Sequence, residues 1–154
     1  TAALVAELAH AAGSRGVVGG QVADLAAIGR NPGAAEMEYI HLHKTADLFK
    51  AAVRMGAMAG GATRKQLAAL TRYGIGIGLA FQIIDDILDS PSGRPTDGKR
   101  NLDKVSCIPI YGPAKAQERA EQLVRRALAS IGPLDVSRSK PLVALARFVH
   151  ERMY

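Results

Sequence analysis

Phe81-Gln82-Ile83-Ile84-Asp85-Asp86-Ile87-Leu88-Asp89 sets three carboxylates into the most apolar run of the chain. At about 100° per residue, Asp85 and Asp89 fall one turn apart on one helical face, with Gln82 a turn earlier and Asp86 beside them. Carboxylates about 6 Å apart repel by roughly 3 kcal/mol at an effective dielectric near 20, so a triad on an otherwise buried helix calls for a positive counterpart. A hard divalent cation with oxygen ligands fits that need, and Mg²⁺ fits best where a polyphosphate shares its coordination sphere. The competing reading is a solvated helix end running into the loop at Ser90-Pro91-Ser92-Gly93.

Working back from this stretch, the helix starts at the N-cap Thr63 and is interrupted by Gly74, Gly76 and Gly78. Each costs about 1 kcal/mol relative to Ala, which points to close approach by another helix or a ligand. A long helix from Ala34 to Ala59 precedes it, with Ile40, Leu48, Ala51, Ala52 and Met55 as a partial core stripe. Lys44 and Thr45 fall in its middle, where a lysine is usually a solvated charge and a threonine usually bonds to its own backbone. His41 and His43, two apart on different faces, read as surface residues. Val17 to Leu25 forms a helix on which Gln21 and Asp24 share a face after the pair Gly19-Gly20, and Thr1 to Ala12 forms another.

Downstream, Ser90 to Asp103 turns to Pro, Gly, Ser and charge, the composition of a mobile loop beside a rigid site. Lys99, Arg100 and Lys104 place positive charge next to the aspartates. Gly112-Pro113 opens a helix to Ser130, and the last helix is expected over Lys140 to Met153 with Leu142, Leu145, Ala146 and Val149 as its stripe.

The 154 residues are 48% hydrophobic and 5% aromatic, without Trp, and show no strand alternation of useful length. That composition favours one all-α domain packed through small side chains. A net charge of +6 points to an anionic partner. Polyphosphate, nucleic acid and acidic membrane surfaces all qualify, and because the basic residues are dispersed with few aromatics, nucleic acid is the weaker option. The single cysteine, Cys107, excludes an internal disulfide and fits a packed thiol in a reducing cytoplasm. No apolar run reaches the length of about 18 residues that a membrane span requires.

Taken in order, several segments resemble the carboxyl-terminal half of the trans-isoprenyl diphosphate synthases, the head-to-tail prenyltransferases of the farnesyl and geranylgeranyl diphosphate synthase type. Gly19-Gly20-Gln21 with Asp24 looks like the family's Gly-Gln-x-x-Asp helix, and His43-Lys44-Thr45 with Leu48-Phe49 like its Lys-Thr helix. Phe81 to Asp89 matches the second aspartate-rich motif, with Gly98-Lys99 and Lys104 resembling the lysine positions after it. The resemblance implies an isoprenoid-synthase-type bundle of long antiparallel helices around a central cavity, and a homodimer. It implies Mg²⁺ on Asp85, Asp89 and Asp86, and an allylic diphosphate held by Lys44, Lys99 and Lys104. Thr45 and Gln82 would face the nascent allylic cation, which isopentenyl diphosphate attacks.

The family's first aspartate-rich motif has no match, and Asp85-Asp86 is the only Asp-Asp pair in the chain. The segment between Lys99 and Lys104 is shorter than usual and lacks an intervening aspartate. Residues 1–154 are therefore expected to be the carboxyl-terminal portion of a single prenyl diphosphate synthase domain, incomplete in its helices and with little activity alone. Such a portion should expose apolar surface. The alternative is a noncatalytic helical subunit that pairs with and regulates a complete synthase.

Overall fold

The computed structural model describes residues 1–90 and 105–153. All regular structure among these residues is helical: α1 (Ala2–Ala12), α2 (Val17–Ala27), α3 (Ala34–His41), a π-helical turn (Leu42–Ala46), α4 (Asp47–Ala59), α5 (Arg64–Leu88), α6 (Ile108–Tyr111), α7 (Pro113–Ile131) and α8 (Val136–Glu151). Lys99 and Lys104, and all of the loop expected over Ser90 to Asp103 except Ser90 itself, lie outside the described residues.

The axis of the bundle is α5, which begins as its sequence predicts. Thr63 accepts from the Gln66 N–H while the Gln66 side chain accepts from the Thr63 N–H, a reciprocal cap that satisfies two orphan donors. The three glycines of α5 then set its neighbours. A Cβ on Gly74 would lie 2.9 Å from Lys50 Cα, one on Gly78 2.6 Å from Ala46 Cα, and one on Gly76 3.0 Å from Ala127 Cβ. Gly74 and Gly78 thus admit the backbone of α4 and the π turn on one side, and Gly76 admits α7 on the other. Their cost in helix propensity is offset by interhelical contact.

The same contacts give the directions. As the chain advances from Gly74 to Gly78, its partner falls back from Lys50 to Ala46, so α4 runs antiparallel to α5. Ser130 bonds Ala69 while Gly76 meets Ala127, so α7 is antiparallel to α5 too. Tyr73 donates to the Leu142 carbonyl at 2.6 Å and Arg152 reaches Asp85, so α8 runs alongside α5 in the same sense. Burial pushes the Tyr73 phenol up to about 12, and it stays a neutral donor. By length and composition α5 would also suffice to cross a membrane; here it is the central helix of the bundle, with Tyr73, Ile77, Ala80 and Ile84 fully buried.

The helix expected over Ala34 to Ala59 is continuous in space but carries the π turn in its middle. One extra residue in a turn rotates everything after it by about 100°. Of the expected stripe Ile40 and Ala51 are buried, but Leu48 is 45% exposed and Ala52 is exposed, while Phe49 and Val53 pack on the core in their place. One further boundary differs, and one short helix is added. The last helix starts at Val136, because the Asp135 carboxylate accepts from the N–H groups of Ser137 and Arg138, and Pro141 sits inside it. The four-residue α6 was not expected from the sequence.

Apolar side chains are exposed, as expected from the sequence: Val18, Val22 and Leu25 leave one face of α2 to solvent, and Val5 is exposed on α1. Elsewhere α1 is tied down firmly, since Arg54 of α4 grips both Glu7 oxygens and also donates to Thr71 of α5 at 2.8 Å. That grip holds the Glu7 carboxyl below its ordinary range. Its stabilisation is therefore full above the unfolded value and is lost as pH falls through the lower folded one. Glu7→Gln should cost about 1–2 kcal/mol at pH 7 by urea unfolding, and the gap to the parent chain should narrow as pH is taken below the unfolded glutamate value of about 4. An equal gap at both pH values would exclude a role for the charge.

Candidate active site

At the end of α5 the three aspartates separate as the helical period dictates. Asp89 is exposed and Asp85 half-buried, while Asp86, about 100° round the helix, is 1% exposed. The Asp86 carboxylate accepts from the Cys107 N–H at 2.8 Å, pairs with His41 Nε2 at 3.2 Å and accepts from Gln82 Nε2 at 3.2 Å. Burial acts to raise its pKa, but the hydrogen bond and charge of His41 and the Cys107 N–H outweigh it, and the net direction is down. Burial and the neighbouring Asp86 push the Cys107 thiol up, so it stays protonated, the packed thiol expected from the sequence. The expectation that His41 lies on the surface is corrected: it is 4% exposed, because the Asp86 carboxylate in the core needs a partner.

The π turn presents consecutive residues to different helices. Lys44 Nζ donates to Asp24 of α2 at 2.5 Å, and the Thr45 hydroxyl donates to Gln82 Oε1 of α5 at 2.6 Å. Neither matches the generic expectation of a solvated lysine and a backbone-bonded threonine. In a regular helix neighbouring side chains diverge by about 100°, and the widened turn alters that angle so both find partners. Thr45, Gln82 and Asp86 thus form one hydrogen-bonded chain, which fixes the orientation of the Gln82 amide. His43 is also drawn in, with Nδ1 2.8 Å from an Asp47 oxygen and its ring 4.3 Å from that of Tyr39.

Arg152, past the end of α8, belongs to this group and has no sequence feature that marks it. Its Nη2 lies 3.2 Å from Asp85 Oδ1, its guanidinium carbon is 4.6 Å from the centre of the Phe81 ring, and its buried Nη1 has no hydrogen-bond partner. It is a fixed cation beside the acidic end of α5, brought there from 67 residues away.

The donor set suits a hard cation at Asp85 and Asp89: carboxylate oxygens, partly open to solvent and one turn apart. Asp86 differs, since its oxygens are engaged by Cys107, His41 and Gln82. A void of about 10 Å³ lined by His41, Ile83 and Tyr111 among others holds at most a water, and the three aspartates, Lys44, Thr45 and Gln82 do not line it.

Comparisons with known proteins bear on this arrangement. The family model for polyprenyl synthetase matches residues 3–144. Over 153 residues the chain is 41% identical to geranylgeranyl pyrophosphate synthase 12, chloroplastic, of Arabidopsis thaliana, covering 94% of this chain and 42% of that protein. It is 39% identical to the chloroplastic geranylgeranyl pyrophosphate synthase of Catharanthus roseus, with coverage of 97% and 43%. Among solved structures, an FPP/GFPP synthase from Zymomonas mobilis superposes with a TM-score of 0.82 at 32% identity, covering 95% of this chain and 49% of that one. A geranyltransferase from Helicobacter pylori, complexed with magnesium and isoprenyl diphosphate, shares the fold with a TM-score of 0.71 at 24% identity, over 99% of this chain and 50% of its own. The chain spans less than half the length of these curated relatives.

Proposed function

The chain belongs to the polyprenyl synthetase family, and from that premise we propose that it supplies the ionising half of a prenyltransferase site, which extends an allylic diphosphate with isopentenyl diphosphate. The observation that carries the reading is convergence. Asp24 pairs with Lys44, the adjacent Thr45 bonds Gln82, and Asp85, about one turn past Gln82 on α5, pairs with Arg152, so polar groups from distant segments gather toward one end of α5, which supports a site for a cation and an anion there.

In this reading Asp85 and Asp89 hold Mg²⁺, with Asp86 reserved for the buried network. When bound, the metal lends Lewis-acid charge to the allylic diphosphate. The Lys44 ammonium binds the same diphosphate, joined by Lys99 and Lys104. As the carbon–oxygen bond breaks, the lysine ammonium groups would stabilise the departing diphosphate. The Thr45 proton is committed to Gln82, which leaves the hydroxyl lone pairs for the allylic cation. The double bond of isopentenyl diphosphate then attacks that cation. A proton leaves to the released diphosphate, giving a longer prenyl diphosphate and inorganic diphosphate. The exposed α2 face is where the proposed homodimer or further helices of the whole protein would pack.

The test is condensation of isopentenyl diphosphate with an allylic diphosphate, measured for the whole protein and for this chain combined with an amino-terminal half from a relative. Mg²⁺-dependent product from either, abolished by EDTA, supports the reading. Absence of product from both, together with an altered rate or product of a complete synthase on mixing, favours a regulatory subunit instead.

A further inference from the structure

Gly20 and Asp24 belong to a motif to which the mechanism above gives no role, yet both are spent on one residue. A Cβ on Gly20 would lie 2.6 Å from both the carbonyl carbon of His43 and the Cα of Lys44, so α2 packs its bare backbone against the backbone of the π turn. One helical turn later Asp24 takes the ammonium of the same lysine at 2.5 Å, with 14% of the Asp24 side chain exposed and 29% of that of Lys44. Gly78 of α5 closes on Ala46 from the opposite side. The π turn is thus clamped between two helices at positions without side chains, and Lys44 is held by α2 at both its backbone and its tip.

Resting on the proposed role of Lys44 as a diphosphate ligand, we propose that Asp24 is a positioning residue: it holds the Lys44 ammonium extended and in place before the diphosphate arrives. A lysine head sits on a flexible four-carbon stem, and binding an anion ordinarily freezes that stem. The ion pair freezes it in advance. An ammonium carries three donors, so pairing with Asp24 leaves two N–H groups for phosphate oxygens and the pair persists in the complex. The negative charge of Asp24 opposes the incoming diphosphate, and positioning outweighs that repulsion. The two effects predict opposite signs, which makes the inference decidable.

The measurement is calorimetric titration of the whole protein with inorganic diphosphate and Mg²⁺, across a cycle of Lys44→Ala, Asp24→Asn and the double variant, with urea midpoints taken alongside. Lys44→Ala should weaken binding about tenfold and Asp24→Asn roughly threefold to tenfold. In the Lys44→Ala background Asp24→Asn should then change affinity less than about twofold, because its effect passes through the lysine. A merely structural Asp24 would shift the urea midpoint and cost the same affinity in both backgrounds. If Lys44→Ala leaves binding unchanged, the site reading itself falls and this inference with it. If Lys44→Ala weakens binding but Asp24→Asn tightens it, or costs equally in both backgrounds, the site stands and the positioning role is overturned. Should Asp24→Asn fail to fold, Asp24→Glu keeps the charge and moves it by one methylene. Its loss of affinity must likewise be present with Lys44 and vanish without it.

Discussion

Asp85→Asn in the whole protein should lower kcat/KM for condensation by roughly 10²–10³ and raise the Mg²⁺ concentration needed for half-maximal rate, while the urea midpoint barely moves. The split between activity and stability comes from where the carboxylate sits. Asp85 is half-buried at the rim of the bundle, and its ion pair with Arg152 at 3.2 Å has side chains 37% and 29% exposed. An ion pair in that setting contributes about 0–1 kcal/mol to folding. In the proposed site, a charge held by Asp85 beside a leaving diphosphate would lower the barrier by several times as much, because it would act where charge develops. Asp89→Asn should show the same pattern more weakly, since Asp89 is the more exposed of the two. A variant that lost stability but kept its rate and its Mg²⁺ requirement would remove Asp85 from the metal.

The chemistry at this end of α5 is readable in sequence only where spacing alone decides it. Periodicity places Asp85 and Asp89 on one face, and the same arithmetic, carried one residue further, turns Asp86 inward. Spacing does not carry the partner that makes burial tolerable. His41 is 45 residues away and Cys107 is 21, and nothing local marks either as a neighbour of a carboxylate. Arg152 escapes for the same reason, since a basic residue after a terminal helix is ordinary surface composition until α8 is known to run alongside α5. The helix order is legible because Gly60-Gly61, Gly112-Pro113 and the Thr63 cap are local devices. The π turn is not, because the stretch Leu42–Ala46 looks helical on any periodic criterion and its extra residue is betrayed only by the altered phase of the residues after it. Its consequence is the exposed Leu48 where a core position was expected.

Asp86→Ala should destabilise the protein by about 3–5 kcal/mol in urea without Mg²⁺. The Asp86 side chain is fully buried, and its removal strands the Cys107 N–H, His41 Nε2 and the Gln82 amide at once. A buried donor left without its acceptor bears its full desolvation cost, and the deleted group leaves a void between α5 and the start of α6. Asp86→Asn retains one carbonyl acceptor and nearly the same volume, so its cost should be about 1–2 kcal/mol at pH 7. The direction with pH is set by the depressed pKa of Asp86. Its contribution is present above the unfolded value of about 4 and fades as pH falls through the lower folded value, so the Asp86→Asn gap should narrow on acidification. A metal ligand would behave in the opposite way. Were Asp86 held open for a cation, Asp86→Ala would leave the Mg²⁺-free protein as stable as before and abolish only the stabilisation that Mg²⁺ adds. Urea melts of both variants, with and without Mg²⁺, separate the buried strut from the metal ligand in one experiment.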